Sequence, residues 1–227
     1  LLDKDGKDLP LKLQTANPPQ SPFSKGGSFN IPPFIKGGEG GFSSLILELS
    51  ETEQTFVFVD IPHEPIPSVL RGFSAPVKIK LDLTDDERLF LMAHDSDEFN
   101  RWDAGQQLAV KLLLDLIKNQ QQGKALTLDQ SFIDAFKKTL ESTMQDKAFQ
   151  AFALMLPAET YLADFMDVID PTAIHEARRF VQRTLAEKLN QSFLAVYRAN
   201  QDTGPYHADQ KSIGRRSLKN TCLTYLM

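Results

Sequence analysis

The sequence is short of cysteine, histidine and basic residues, and these shortages exclude several classes of protein. A single thiol, Cys222, cannot form a disulfide within the chain. No apolar run is long enough to span a bilayer. Lysine and arginine total 25 against 30 acidic residues, which gives a net charge of −5 and no basic face for nucleic acid. We therefore predict a soluble, cytoplasmic protein that binds neither nucleic acid nor membrane.

The composition is that of an ordinary globular protein, with 41% apolar and 24% charged residues. A chain of 227 residues can bury one large core or two modest ones. Its first residues, LLDKDGKDLPL, lack an initiator methionine and have neither the basic nor the apolar region of a secretion signal. We therefore expect the chain to begin inside a longer polypeptide.

Residues 1–82 show the period of short β-strands. The alternating or apolar stretches are residues 9–13, 44–50, 54–61 and 75–82. In the last of these, alternation predicts that Val77, Ile79 and Leu81 point inward. The Asp5-Gly6 pair is a hairpin-turn signal. We predict a small antiparallel β-sandwich over this region.

A proline- and glycine-rich repeat interrupts the strand-like region. The sequence NPPQSPFSKGGSFNIPPFIKGG occupies residues 17–38 and repeats one phrase twice. We predict an inert insertion at about residues 17–42, because internal duplication is typical of copied sequence and loop closure tolerates added length. A polyproline II ligand for an aromatic groove is the alternative.

Residues 83–227 show a helical period instead. Thr84 and Glu87 form a capping-box pattern, and Thr127 with Gln130 predicts a second such start. Asp170-Pro171 predicts the N-terminus of one long helix that continues to Val196. The predicted core positions of the third and the long helix are Phe132, Ile133, Phe136, Leu140, Ile174, Ala177, Val181, Leu185, Leu189 and Val196. We predict a mainly α, two-domain chain in which a truncated α-helical solenoid or bundle (83–227) follows the sandwich (1–82).

The four histidines do not match a zinc-peptidase motif, which needs two histidines one helical turn apart. His175 and Glu176 lie on a predicted helix, but Arg179 stands where the second histidine would be, and a guanidinium cannot donate a lone pair to zinc. His63 precedes prolines that prevent a helix. His94 and His207 are isolated in the sequence. We predict that His63 and His175 are surface histidines and that the chain contains no metal ligand.

The remaining candidate metal-binding and catalytic residues have structural interpretations. The acidic clusters at residues 85–87 and 95–98 fall where helices begin and are predicted to be caps, since the glycine and glutamate of a calcium loop are missing. Cys222 lies on the apolar stripe of its helix and is predicted to be core. No nucleophile elbow or phosphate-binding glycine loop is present. We therefore predict no catalytic, cofactor-binding or metal-binding residue.

Four stretches, in order, resemble the bacterial aminopeptidase N (alanyl aminopeptidase) family of zinc metallopeptidases. They are EQTFVFVDIPHEPIPSVLRGFSAPVKI (53–79), EFNRWDAGQ (98–106), VIDPTAIHEARR (168–179) and RRSLKNTCLTYL (215–226). Members have an N-terminal β domain, a catalytic domain, a small β-sandwich and a C-terminal helical domain that caps the active-site chamber. The resemblance implies that this chain supplies the sandwich and roughly the first half of the cap. It also suggests that Trp102 packs in the core near the junction, with a pair between Arg101 and Asp103 beside it.

The family's His-Glu-x-x-His helix, its glutamate ligand, its Gly-x-Met-Glu-Asn motif and its catalytic tyrosine all precede the sandwich and are absent from this sequence. The resemblance therefore implies a hydrolase family that uses zinc and a chain that is inactive alone. We expect a non-catalytic C-terminal fragment that acts as scaffold and chamber cap, with the missing catalytic portion as its partner. The alternatives are a free-standing protein-interaction module and a non-functional product of a disrupted gene.

Overall fold

A computed structural model of the chain describes residues 1–14, 45–202 and 204–227. The insertion predicted at about residues 17–42 lies outside the described residues. The chain divides into two compact units, an N-terminal unit (Leu1–Ile79) and a helical unit (Lys80–Met227). The domain boundary expected after residue 82 stays a prediction.

The N-terminal unit is held together by a small number of backbone pairings. Its described residues contain three isolated antiparallel bridges, Leu2 with Asp8, Leu2 with Ile66, and Leu13 with Phe58, and no longer strand. The side chain of Leu2 is fully buried, and its backbone exchanges hydrogen bonds of 2.9 and 3.1 Å with Ile66. This leucine is therefore the centre of the described part of the unit.

The turn expected at Asp5-Gly6 is observed. One carboxylate oxygen of Asp3 accepts hydrogen bonds from the backbone N–H groups of Asp5 and Lys7, each at 2.8 Å. Gly6 has a φ of 80°, a conformation that glycine adopts without steric cost. The side chain of Asp3 thus satisfies the backbone of the turn that brings Asp8 opposite Leu2.

The inward orientation predicted for Val77 and Ile79 is wrong. Their side chains are 59% and 51% exposed, and the described residues around them form no ladder with another segment. Alternation in sequence assigns side chains to faces, but a strand also requires hydrogen bonds to a neighbouring strand. The pattern alone was therefore insufficient.

The helical unit contains eight α-helices among its described residues. They are α1 (Asp85–His94), α2 (Glu98–Gln121), α3 (Gln130–Leu140), α4 (Lys147–Ala153), α5 (Glu159–Ala163), α6 (Pro171–Lys188), α7 (Asn190–Ala199) and α8 (Gln210–Leu226). Helix α1 packs on α2 and α3, α2 packs on α6, and α8 packs on α4 and α7. This arrangement confirms the prediction of a mainly helical chain.

Short polar side chains determine where most of these helices begin. Each accepts a hydrogen bond from a backbone N–H of the first turn, which would otherwise have no partner. These capping residues are Thr84, Asp97, Asp129, Asp146, Asp170 and Asp209. The capping box of Thr84 and Glu87 and the cap at Asp170 confirm the sequence predictions. The prediction at Thr127 is wrong, because Asp129 caps α3 instead.

Replacing Thr84 with alanine is expected to lower the free energy of unfolding of the helical unit by about 1 kcal/mol. The hydroxyl accepts from the backbone N–H of Glu87, and the Glu87 carboxylate accepts from the Thr84 N–H at 2.6 Å. Thr127→Ala is the matched control and should change stability by less than about 0.5 kcal/mol. Urea unfolding followed by circular dichroism measures both. Equal losses would contradict the assignment of the caps.

The long helix predicted from Asp170 to Val196 is two helices, because the backbone leaves helical geometry at Leu189 (φ −113°, ψ 18°). Leu189 at the break and Phe193 after it are both buried, whereas Val196 is only half-buried. The other nine predicted core positions are buried as expected. Sequence periodicity identified the buried stripe but not the change of direction within it.

The core joins α3, α7 and α8 through three aromatic rings. The rings of Phe193 and Tyr225 are stacked with centroids 4.5 Å apart, and Phe136 lies 6.3 Å from Phe193 and 5.8 Å from Tyr225. The Tyr225 hydroxyl donates to the carbonyl of Leu154 at 2.8 Å. This cluster therefore also fixes the chain that follows α4.

Helices α4 and α8 approach closely at Gly214. A Cβ at this position would lie 3.0 Å from the backbone nitrogen of Ala148 and 3.3 Å from the Cβ of Lys147. A side chain at position 214 would therefore push the two helices apart.

Candidate functional site

Two of the histidines, His175 and His94, make side-chain contacts within the helical unit. His175 contacts Glu159, with Nδ1 and Oε1 3.0 Å apart, and both side chains are about half exposed. His94 stacks on Phe90 at 4.8 Å, and its Nε2 is 2.9 Å from Lys138 Nζ. Neither neighbourhood assembles the ligands of a metal ion.

A zinc ion does not fit the part of the chain that the structure describes. No group of three histidine, cysteine, aspartate or glutamate side chains converges there. Arg179, one turn after His175 on α6, is exposed and supplies a positive charge where a second ligand would be needed. No step of a reaction can be assigned to a metal on these residues.

Cys222 is fully buried on α8, as the sequence predicts for a core residue. Burial raises the pKa of the Cys222 thiol to about 11. The thiolate is the reactive form of cysteine, so this residue is inert as a nucleophile near neutral pH.

The chain's only thiol should resist Ellman's reagent at pH 8 and react rapidly once the helical unit is unfolded in urea. Stability should also fall as the pH rises from about 8.5 towards 10, because the unfolded thiol then loses a proton that the folded one keeps, and above about pH 10 the buried Tyr225 hydroxyl adds to the fall in the same way. Cys222→Ala should flatten this part of the pH profile. Rapid labelling of the native chain would contradict the burial of Cys222.

The acidic clusters lie at the N-terminal ends of helices, as predicted. Asp97 accepts from the backbone N–H of Asn100 at 3.0 Å and caps α2. Asp85 lies in the first turn of α1 and pairs with Lys111 of α2. Negative charge at these positions complements the N-terminal end of the helix dipole.

The pair suggested between Arg101 and Asp103 is wrong. The Arg101 side chain donates to the carbonyl of Asp95 at 3.0 Å, whereas Asp103 accepts from Gln107 Nε2 at 2.7 Å. Residues two apart on a helix point to different sides, so the two side chains do not meet. Asp103 points instead into a groove.

This groove has a volume of about 820 Å³ and runs along one face of α2. We call it the α2 groove. Its other wall consists of the end of α4 and the segment around α5. The large apolar residues of the lining are Trp102, Val110, Leu114, Phe152, Met155, Leu156, Tyr161 and Phe165. The surface can bind apolar groups, and it contains no pair of nucleophile and base.

Two aromatic pairs shape the groove. Trp102 and Phe152 are stacked with ring centroids 5.2 Å apart, and Tyr161 meets Phe165 edge to face at 5.1 Å. Sequence reasoning placed Trp102 in the core and missed the groove, because residues 159–163 were not assigned to a helix. The available signal was the pair of aromatic residues four apart, at 161 and 165, after Pro157.

The charged side chains that line the groove differ in whether they have an ion-pair partner. Lys111 pairs with Asp85, and Lys118 lies 3.9 Å from Asp115. The Asp103 carboxyl has only the hydrogen bond from Gln107, and burial raises its pKa. The lysines on the groove are thus matched with carboxylates, while Asp103 has no cation beside it in the described structure.

Known families and proteins match both units. Residues 85–227 match a domain of unknown function (DUF3458_C) described as ARM repeats, and residues 2–82 match a domain of unknown function (DUF3458) described as having an Ig-like fold. The chain belongs to this family of joined Ig-like and ARM-repeat domains, which form the C-terminal region of aminopeptidase N. The resemblance found in the sequence is thereby confirmed.

The aminopeptidase N relatives are much longer than the matched region. The chain is 39% identical over 194 residues to aminopeptidase N of Escherichia coli, covering 86% of this chain and 22% of that protein. Aminopeptidase N of Haemophilus influenzae is 36% identical over 187 residues, with 82% and 21% covered. The chain therefore spans about a fifth of the length of these relatives.

A solved structure agrees with the sequence comparisons. The crystal structure of Legionella pneumophila aminopeptidase A in complex with aspartic acid is similar to this chain with a TM-score of 0.60 and 30% identity. The similarity covers 76% of this chain and 22% of that protein. In the described ranges of the present chain, no helix has the length and apolarity needed to cross a membrane.

Proposed function

We propose that this chain is the non-catalytic Ig-like and helical-cap part of an aminopeptidase N-like zinc peptidase, an enzyme that removes N-terminal amino acids from peptides. The observation that carries the proposal is the similarity to aminopeptidase N, which covers 86% of this chain and only 22% of the relative. Zinc would activate a water molecule in the catalytic part of such an enzyme. The partner of this chain is that catalytic part, and both act in the cytoplasm.

In this proposal the chain acts as a scaffold for the catalytic part and as a cap that encloses the active-site chamber. The buried rings that join α3, α7 and α8 make the helical unit a rigid wall, because a close-packed interior resists deformation. Residues 2–82 fold as a small antiparallel β-sandwich in this proposal, consistent with the Ig-like description of their family. The described residues of the chain do not themselves offer a zinc site.

Reconstitution with a truncated relative tests this proposal. E. coli aminopeptidase N lacking the matched region should release little chromophore from an aminoacyl-p-nitroanilide. Adding the purified chain should raise this activity at least severalfold, and a chelator should abolish the gain. A gain that survives chelation, or no gain although the two proteins form a complex, would contradict the proposal.

A free-standing interaction module is the second candidate, and the half-exposed aromatic residues of the α2 groove favour it. This candidate predicts a monodisperse, cooperatively unfolding chain that does not bind the truncated relative. The first candidate predicts binding. Analytical ultracentrifugation of the chain alone, and of the chain mixed with the truncated relative, distinguishes the two candidate functions.

A further inference from the structure

The α2 groove has the length and direction of a helix. The residues that α2 contributes recur every three or four positions, at 102 and 103, 106 and 107, 110 and 111, 114 and 115, and 118. This spacing keeps them on one face of α2 over about four turns, or roughly 22 Å. The groove therefore runs parallel to α2 and can hold a partner segment of about 15 helical residues.

The wall opposite α2 exposes an unusual amount of apolar surface. Phe152, Met155, Tyr161 and Phe165 are each between 47% and 52% exposed. They lie within a stretch of 14 residues and all line the same groove. Contiguous apolar surface of this kind marks interaction sites, whereas single exposed apolar residues do not.

Unmatched negative charge borders this apolar surface. Asp103 lies in the groove, and Asp164 and Asp167 flank Phe165 in the sequence and are exposed. Within the ranges that the structure describes, none of these three carboxylates has an ion-pair partner, whereas the groove residues Lys111 and Lys118 both do. A ligand that brings positive charge beside apolar side chains would complement this surface.

We propose that the α2 groove binds an amphipathic helix of a partner polypeptide, one with lysine or arginine residues bordering its apolar face. Apolar side chains spaced three and four apart on that helix would enter between α2 and the aromatic wall. Its basic residues would reach Asp103, Asp164 and Asp167. The apolar contacts thus provide the affinity, and the carboxylates provide the preference for a basic helix.

The geometry disfavours the two other common ways of binding a peptide. The groove is built from helices and their connections, so it has no sheet edge to which an extended peptide could add. Trp102 stacks on Phe152, and Tyr161 meets Phe165 edge to face, so the rings do not form the parallel slots that receive prolines. This inference does not depend on the proposed peptidase role.

Trp102 lines the groove and is the only tryptophan of the chain, so its fluorescence reports directly on binding. The probe is a designed 15-residue helical peptide without tryptophan, with leucines spaced three and four apart and lysines beside them. A second peptide has glutamate at every lysine position. We expect saturable binding of the lysine peptide and at least tenfold weaker binding of the glutamate peptide at low salt, with the difference shrinking at higher ionic strength.

Three variants of the full chain locate the site. Phe165→Ala should weaken binding of the lysine peptide by about tenfold, because it removes one of the aromatic side chains of the apolar wall. Asp103→Asn should reduce the preference for lysine over glutamate severalfold with little change in helix content. Ile213→Ala is the matched control, since Ile213 is 45% exposed on α8 and does not line the groove. Circular dichroism of each variant verifies the fold.

Four results would overturn the proposal. The first is no change in Trp102 fluorescence at millimolar lysine peptide, and the second is equal affinity for the two peptides. The third is tighter binding of a proline-rich peptide than of the helical one. The fourth is a loss of affinity in Ile213→Ala as large as that in Phe165→Ala.

Discussion

Replacing Phe193 with alanine is expected to lower the free energy of unfolding of the helical unit by about 3 to 5 kcal/mol. The side chain has no exposed surface and stacks on Tyr225 of α8, and Phe136 of α3 lies against both rings. Truncation would remove the transfer energy of a buried ring and leave a cavity where three helices meet. Urea unfolding followed by circular dichroism measures the loss.

Phe165→Ala is the matched control, because the same ring is 52% exposed at position 165. It should cost no more than about 1 kcal/mol, since solvent already reaches half of the side chain. Similar losses for the two variants would mean that Phe193 is not at the centre of the core.

Replacing Gln150 with leucine is expected to lower the free energy of unfolding by about 2 to 4 kcal/mol. The side chain is 1% exposed, and its Nε2 donates to the carbonyls of Thr139, Leu140 and Ser142 at 3.0, 3.0 and 3.1 Å. The carbonyls of Thr139 and Leu140 belong to the last turn of α3, where no later turn of the helix supplies a donor, and that of Ser142 follows the helix. Leucine fills similar space but removes this donor, and the total loss stays near ~2 to 4 kcal/mol because the Thr139 carbonyl keeps a hydrogen bond from the Ser142 hydroxyl at 2.8 Å.

Gln106→Leu provides the comparison for this variant. Gln106 also donates from Nε2 to a carbonyl, that of Met155 at 2.9 Å, but the bond is exposed and water can replace it. We expect a change of less than about 1 kcal/mol, by the same unfolding measurement. An equal cost at positions 106 and 150 would show that burial of the carbonyls is not the cause.

The features that sequence predicted well are local ones. A capping box requires only Thr84, Glu87 and the backbone between them, so its pattern is visible within four residues. The buried stripe of α6 follows from a period that any amphipathic helix shares. Cys222 lies on such a stripe and is buried as predicted.

The features that sequence missed depend on residues far apart in the chain. The break at Leu189 places Phe193 against Phe136 and Tyr225, and neither partner is visible in the local period. The choice of Asp129 over Thr127 as a cap required the first turn of α3 to be located to the residue. In the N-terminal unit, alternation at 75–82 could not supply the neighbouring strand that pairing needs.

The α2 groove could not be predicted from the sequence either, because it also depends on residues far apart in the chain. Trp102 and Phe152 are 50 residues apart in sequence and stack only because α2 and α4 pack together. The aromatic residues of a helix stripe are usually core, so the pattern alone could not show that Phe152 remains 47% exposed. In contrast, the lack of a second histidine one turn after His175 is visible in the sequence itself.

The central claim is that this chain is the non-catalytic part of an aminopeptidase N-like enzyme. The most direct test counts bound metal in the purified 227-residue chain and follows release of an aminoacyl-anilide chromophore by the same sample. We expect far less than one zinc per chain and no release that a chelator can suppress. About one zinc per chain with chelator-sensitive turnover would contradict it, because a complete site would then exist within this chain.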